Sequence, residues 1–400
     1  MRLKPLHWWL VFGLVLALLP YTLSGGFSIA LLNQASIAVL ICLSYFLLLG
    51  LSGLLSFGHA LYTGVGAYAA VYCVPVLQQM WPGLLVAAPL LAGFLTLLVA
   101  AVTGWLSTRR GGLVFAMITL GLGELAWTLA QRFPAGFGGE AGLSINRADL
   151  PLWGGVSLGP AENLYVLIAI YTWLCAGLMY VFTQTKFALL LRASREQAQR
   201  CAALGFDIRH LRFKAVLVSA FFAGVAGGLS ALHFELVTHE VFSVARSGSY
   251  LLFTLVGGTA SFVGPVLGGL LMVVFTEGLP RLTGAWQAYL GLLFVWTVMR
   301  LPDGIGAHLA RPAAWAGNLR LAGIDGRAFV RFVGLALVLL ALVGAIEMAY
   351  QYQLRAVLGS ERAIGGVVLD SEQAWHWLGV VGLGLWGAWM RYLARGSRAS

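Results

Sequence analysis

Apolar residues in this chain come in blocks long enough to cross a membrane, and polar residues are confined to the gaps between them. Runs of the length that about 30 Å of hydrocarbon requires, or nearly so, fall at 8–23, 29–50, 57–77, 83–106, 113–131, 163–183, 213–233, 282–299, 330–350 and 374–394. This pattern predicts an all-α fold, a polytopic transmembrane helical bundle of about ten spans. One further run, 250–276, is interrupted by Gly257-Gly258, Gly264-Pro265 and Gly268-Gly269, which argues against a single straight helix. It reads as a broken, re-entrant hairpin that enters and leaves on one side, with its glycines buried in protein because unpaired backbone cannot face lipid.

Charge fixes the expected orientation. The 186–214 stretch carries Lys186, Arg192, Arg195, Arg200, Arg209, Arg212 and Lys214 against Glu196 and Asp207, a net +5 and half of the whole chain's +10. Such an excess belongs on the cytoplasmic side. Arg109-Arg110, a 300–331 segment of net +3 (Arg300, Arg311, Arg320, Arg327 and Arg331 against Asp303 and Asp325) and the tail with Arg391, Arg395 and Arg398 follow the same rule. The acid-leaning segments face out: Arg132 and Arg147 with Glu140, Asp149 and Glu162, and Arg355 and Arg362 with Glu361, Asp370 and Glu372. Only a hairpin at 250–276 keeps all of these assignments consistent.

Composition agrees, with 60% hydrophobic and 10% charged residues and a mean hydropathy of +0.86, outside the range of soluble domains. The sequence pI of about 9.7 reflects loop Lys and Arg rather than a nucleic-acid surface. Cys42, Cys73, Cys175 and Cys201 are scattered, with no C-x-x-C pair, and read as packing residues. Arg2 and Lys4 ahead of the first run also fit a signal peptide, but no cleavage pattern follows and further spans come at once. Residues 1–28 therefore read as a retained first helix.

Within 186–214, Ser194 and Gln197 form a capping-box pattern, Ala198, Cys201, Ala202 and Gly205 follow at helical spacing, and Gly205 is placed to stop a short helix across the membrane face. An ordinary solvated loop is the competing reading. Glycines at 50, 53, 58, 64 and 66 either let helices approach closely or line a route through the membrane.

Four stretches, taken in order, resemble the permeases of the branched-chain amino acid ABC importers. They are LLLGLSGLLSFGHALYTGVGAYAA (47–70), RRGGLVFAMITLGLGEL (109–125), GFGGEAGLS (136–144) and the segment 191–231 that begins LRASREQAQRCAALGFDIRHLRFK. The resemblance covers about 29–305 and implies a permease core whose 186–214 segment docks on a separate ATPase through Arg195, Ala198, Cys201, Ala202 and Gly205. It also implies a second permease subunit, a periplasmic or extracellular substrate-binding protein, contact with membrane lipid, no cofactor, and a bacterial inner membrane with both termini cytoplasmic. Leu54 departs from a frequent Gln, and a linker (306–329) followed by a two-helix extension (330–400) matches nothing in the family. Urea and short-amide permeases are close relatives, and a self-sufficient secondary transporter is the rival class.

No G-x-x-x-x-G-K-[ST] occurs, so the chain performs no nucleotide chemistry of its own. His233, Glu235 and His239 lack metal-site spacing and read as interfacial polar residues. Candidates for the translocation path are Asn33, Gly58, His59, Glu124, Gly257 and Gly258, each with packing or hydrogen bonding as the competing role. Glu124 reads as the only carboxylate deep inside an apolar span, and its cost there predicts that it turns inward to a partner.

Overall fold

The structure, a computed structural model, describes residues 4–22, 26–80, 82–147, 157–301, 303–309, 337–338, 340–350, 352–353, 361–364, 367–370 and 374–393. Most of the 306–329 linker lies outside these residues, with Arg311, Arg320, Asp325, Arg327 and Arg331, and so do Arg2, Asp149, Arg355, Glu372, Arg395 and Arg398.

In chain order the helices begin with α1 (Lys4–Thr22), α2 (Gly26–Phe46) with a π-helical turn (Leu47–Leu51), α3 (His59–Met80), α4 (Ala88–Ser107) and α5 (Leu113–Arg132). A single turn, α6 (Pro134–Phe137), and strand β1 (Leu143–Ser144) lead to α7 (Ala161–Thr183), α8 (Lys186–Glu196), α9 (Ala198–Ala203) and α10 (Ile208–Phe234). Then come β2 (Leu236–Val237), α11 (Val244–Gly257), α12 (Val263–Val273), a second π turn (Val274–Gly278), α13 (Leu279–Leu282), α14 (Trp286–Arg300) and α15 (Ile305–Leu309). The chain ends in α16 (Leu340–Tyr350), β3 (Glu361–Ile364), β4 (Val367–Asp370) and α17 (Ala374–Leu393).

Among the described residues, seven helices are long and apolar enough to cross a membrane, fewer than the ten expected. Six of the ten expected runs are among them and the 263–281 limb is the seventh; the runs at 8–23, 282–299, 330–350 and 374–394 are not, and of these 282–299 falls short because α14 has only 15 residues. Among the described residues, two short antiparallel ribbons, β1–β2 and β3–β4, are the strands of an otherwise helical chain.

The chain divides into two compact units, 1–274 with 296–310, and 275–295 with 311–400. In the first, α10 lies at the centre, flanked by α3, α4 and α2. Backbones meet there: a Cβ on Gly66 would overlap the Gly224 carbonyl, and one on Gly227 the Thr63 carbonyl. Such contact is how spans associate where lipid removes the hydrophobic drive. The outer faces of α4 (Leu90, Phe94, Leu98, Val102) and, beyond Glu162 in its first turn, of α7 (Val166, Ile170, Leu174, Leu178) are apolar, as lipid contact demands.

The interrupted run forms a hairpin, as its glycines predict, but a deeper one. Its first limb is α11; the second runs from Val263 through the π turn to Arg281, long enough to cross by itself. Gly257, Gly258 and Gly264 are buried, with the 303–304 backbone against Gly258 and Gly306 against Gly264. The returning chain therefore covers the glycines of the break, as backbone that cannot face lipid requires.

In the second unit Glu347 is buried at 3% exposure; Thr283 Oγ1 donates to its Oε1, as does Tyr289 OH at 2.9 Å. It is the inward-facing carboxylate expected at Glu124. It sits near the C-terminal end of an apolar run, where its position in the sequence resembles that of a solvated helix end.

Candidate functional site

Basic side chains gather at one end of the first unit. Arg109 lies 3.8 Å over the Trp105 ring and Arg209 5.4 Å from it, and the Arg212 guanidinium packs on Gly111. At this basic end a crevice of about 410 Å³ is lined by Ser52, Gly53, Gly112, Arg195, Arg212 and Thr259, among others. Three separate stretches meet in it: the 186–214 segment, the break after α2, and the hairpin turn.

The segment is built differently from its expected capping box. Thr185 caps α8 by accepting the Ala188 N–H at 3.2 Å, whereas the Ser194 hydroxyl is buried and donates back to Leu191 O at 2.8 Å. Serine inside a helix satisfies itself this way. The chain breaks at Gln197 and restarts as the short α9, and Gly205, at φ +87°, ends it as expected. Asp207 then caps α10, accepting the Arg209 and His210 N–H groups at 2.8 and 3.1 Å. The His210 ring, 2.9 Å from its other oxygen, together with these N–H groups, holds the Asp207 carboxyl below the ordinary carboxylate range.

Of the expected docking residues, Ala198 is half-buried and lines the crevice, Ala202 is exposed, and Cys201 is buried at 6% exposure and faces the protein. Leu204, at 77%, and Phe206, at 40%, take the outward positions instead. The sequence carried a signal for them: two apolar side chains flanking a helix-stopping glycine in an otherwise charged stretch.

Arg195 joins this segment to the membrane core. Its Nη1 donates to Gly50 O at 2.6 Å, and its aliphatic stem covers Gly53, which needs a left-handed φ of +69°. Beyond Gly53 the backbone runs non-helically to Gly58 among packed spans. Side chains satisfy it: the Tyr45 hydroxyl donates to Ser56 O at 2.6 Å and accepts the Ser56 N–H at 3.0 Å. Phe57 N–H reaches Thr119 Oγ1 at 3.2 Å and Ala60 N–H reaches Ser247 Oγ at 2.9 Å. Unwound backbone at membrane depth is tolerated only under such cover.

His59 and Gly58 belong to this buried break. His59 is fully buried, with Nε2 2.9 Å from Ser44 Oγ; that hydroxyl gives its proton to Ile41 O, so the imidazole is the donor. A Cβ on Gly58 would overlap the Thr119 carbonyl of α5. Asn33 is buried on α2, and its side-chain amide has no hydrogen-bond partner among the described residues. Gly257 and Gly258 lie in the hairpin turn.

Glu124 does the opposite of what its cost predicts. It is exposed on the outer face of α5, because Phe115, Ala116, Thr119 and Gly123 take the inner face against neighbouring elements, including the break at Gly58. The end of the unit away from the basic crevice is tied by β1 pairing with β2 and by an Arg147–Glu235 ion pair at 2.5 Å. Gln131 Nε2 lies 3.4 Å from His239 Nε2 there. His233, Glu235 and His239 do not assemble with any third ligand into a metal-type cluster among the described residues.

A family model described as branched-chain amino acid transport system / permease component matches residues 27–301. The chain is similar to the high-affinity branched-chain amino acid transport system permease protein LivM of Escherichia coli, 28% identical over 334 residues that cover 74% of each chain. The protein of the same name from Salmonella typhimurium is 28% identical over 317 residues, 72% of this chain and 71% of that one. The probable branched-chain amino acid transport permease protein LivH of Methanocaldococcus jannaschii is 32% identical over 108 residues, 26% of this chain and 33% of that one. No solved structure matches.

Proposed function

The chain belongs to the branched-chain amino acid transport permease family, and from that membership we propose that it is the membrane-spanning subunit of an ATP-driven importer of branched-chain amino acids. The substrate class is supported by relatives carrying that printed activity over about three quarters of the chain. A separate ATPase follows from a sequence with no P-loop. The basic end faces the cytoplasm of a bacterial inner membrane, as do both termini, on the strength of Lys and Arg placement. A second permease subunit and a substrate-binding protein complete the assembly.

The observation that carries the reading is the Arg195–Gly50 hydrogen bond. It links the segment most available to a cytoplasmic partner with the non-helical stretch 53–58 that leads into α3. In this mechanism the ATPase grips the α9 turn through Ala202, Leu204 and Phe206, and its closure displaces α8. Arg195 transmits that displacement to Gly50 and Gly53, and hence to the break ahead of α3. Packed cores respond to such a push by switching between arrangements rather than by stretching.

Reconstitution tests this directly. Labelled leucine, isoleucine and valine should enter proteoliposomes only when the ATPase subunits, ATP and the loaded binding protein are all supplied. Uptake driven by a solute gradient in the absence of the ATPase would overturn the reading, and preference for urea or short amides would overturn the substrate class.

A further inference from the structure

Among the exposed faces of the described spans, that of α5 is of the wrong chemistry for lipid. Where α4 presents only aliphatic and aromatic side chains, and α7 does so beyond Glu162 in its first turn, α5 presents Gly121, Glu124, Thr128 and Gln131 beside the exposed Leu125 and Leu129. Steps of three, four and three residues stack these on one line of the helix. Glu124 lies about 16 Å from the start of a helix about 30 Å long, close to its middle, at 1.5 Å per residue. From there the line is polar toward the end that carries β1 and β2, where Gln131 meets His239 and Glu240 is exposed beside it, with Arg132 at the helix terminus. In the other direction it is closed by Met117 and Leu113, both largely exposed apolar residues. A carboxylate at this depth is strongly disfavoured in lipid, and intramembrane acids face protein or water. The inner face of α5 offers no alternative, since Thr119 and Gly123 there sit against the break at Gly58.

We propose that Glu124, Thr128 and Gln131 form one wall of a water-filled half-channel opening on the outer side, and that Glu124 holds the ammonium group of the amino acid at its inner end. The opposite wall is a helix of the second permease subunit, so the route runs along the outside of this bundle rather than through it. This rests on the amino-acid import reading above. A carboxylate suits a zwitterionic substrate because it pairs with the ammonium while the Gly121 position leaves room for the side chain. Thr128 and Gln131 supply neutral hydrogen-bonding groups along the approach, which guide without trapping.

Two measurements on the assembled complex test it. With Cys42, Cys73, Cys175 and Cys201 replaced by alanine, Glu124→Cys should react with a membrane-impermeant trimethylammonium methanethiosulfonate added outside, and saturating loaded binding protein with ATP should slow that reaction. Reaction with a membrane-soluble maleimide alone would mean lipid exposure, and reaction with neither would mean a clasp against the second subunit; either overturns the proposal. Glu124→Gln should lower leucine uptake roughly ten- to a hundredfold, the range for losing a charge-assisted hydrogen bond. Assembly and ATP hydrolysis should persist, and Glu124→Asp should recover much of the uptake. Undiminished uptake in Glu124→Gln also overturns it. If the unsubstituted complex carries no branched-chain amino acid, the substrate reading falls while the accessibility of position 124 still reports whether the half-channel exists.

Discussion

Replacing Arg195 by Gln tests the proposed mechanical link at its narrowest point. Gly50 lies in the last turn before the break, where helix carbonyls run out of main-chain donors. Its nearby donor is spent elsewhere, since Leu54 N–H reaches back to Leu48 O at 3.3 Å. Arg195 supplies the missing donor at 2.6 Å and brings a cation to the negative end of the helix dipole. A hydrogen bond to a charged group contributes about 1.5–3 kcal/mol. Because the Arg195 side chain is largely exposed, solvent screening favours the lower end, about 1.5 kcal/mol, or roughly a tenfold shift between docked and undocked segments. Glutamine keeps a donor but loses the charge and some reach; lysine keeps the charge and should lose less. In proteoliposomes holding the whole complex, Arg195→Gln should cut leucine taken up per ATP hydrolysed by about tenfold while hydrolysis continues. An unchanged ratio in a fully assembled complex would refute the link.

Further expectations concern the docking turn, the packing of α10 and the cap at Asp207. Ala202→Trp, or Leu204→Ser with Phe206→Ser, should uncouple or weaken ATPase binding without disturbing membrane insertion, read by co-purification and hydrolysis, whereas Cys201→Trp should destabilise the chain itself because that side chain is buried. Gly227→Leu drives a side chain into the Thr63 carbonyl and should cost roughly 1–3 kcal/mol or prevent folding, seen as a lower melting temperature in detergent; Gly248→Ala, with nothing within 4 Å of the added carbon, is the control. The Asp207 carboxyl is held below its ordinary range, chiefly by the His210 ring, so its cap is intact above the usual carboxylate range and fails only as pH falls through the lowered value. Amide exchange in the first turn of α10, corrected for intrinsic rates, should loosen there in the native chain and not in Asp207→Asn, which caps without titrating.

The sequence by itself determined the class of structure. Span length, glycine interruption and the placement of Lys and Arg are set by the bilayer, a solvent common to every such chain, so they can be read without knowing what packs on what. The hairpin after α10, the buried turn at Gly257-Gly258 and the stop at Gly205 were legible for that reason, as was the family from the order of its motifs. Facing was not legible. Ser194 suits a cap by sequence, but the helix begins earlier, at Lys186, and buries Ser194 inside it. Cys201 lies in α9 and Leu204 directly follows it, and only the neighbours of α9 decide which is covered. Glu124 and Glu347 show the same limit at greater cost. Each is one carboxylate in an apolar run, and the expectation that the deeper one turns inward treats the single chain as the whole protein. Tertiary packing buries Glu347 under Thr283 and Tyr289 and gives the inner face of α5 to Thr119 and Gly123. That leaves Glu124 outside, because a helix has one inner face and the backbone at Gly58 had already claimed it.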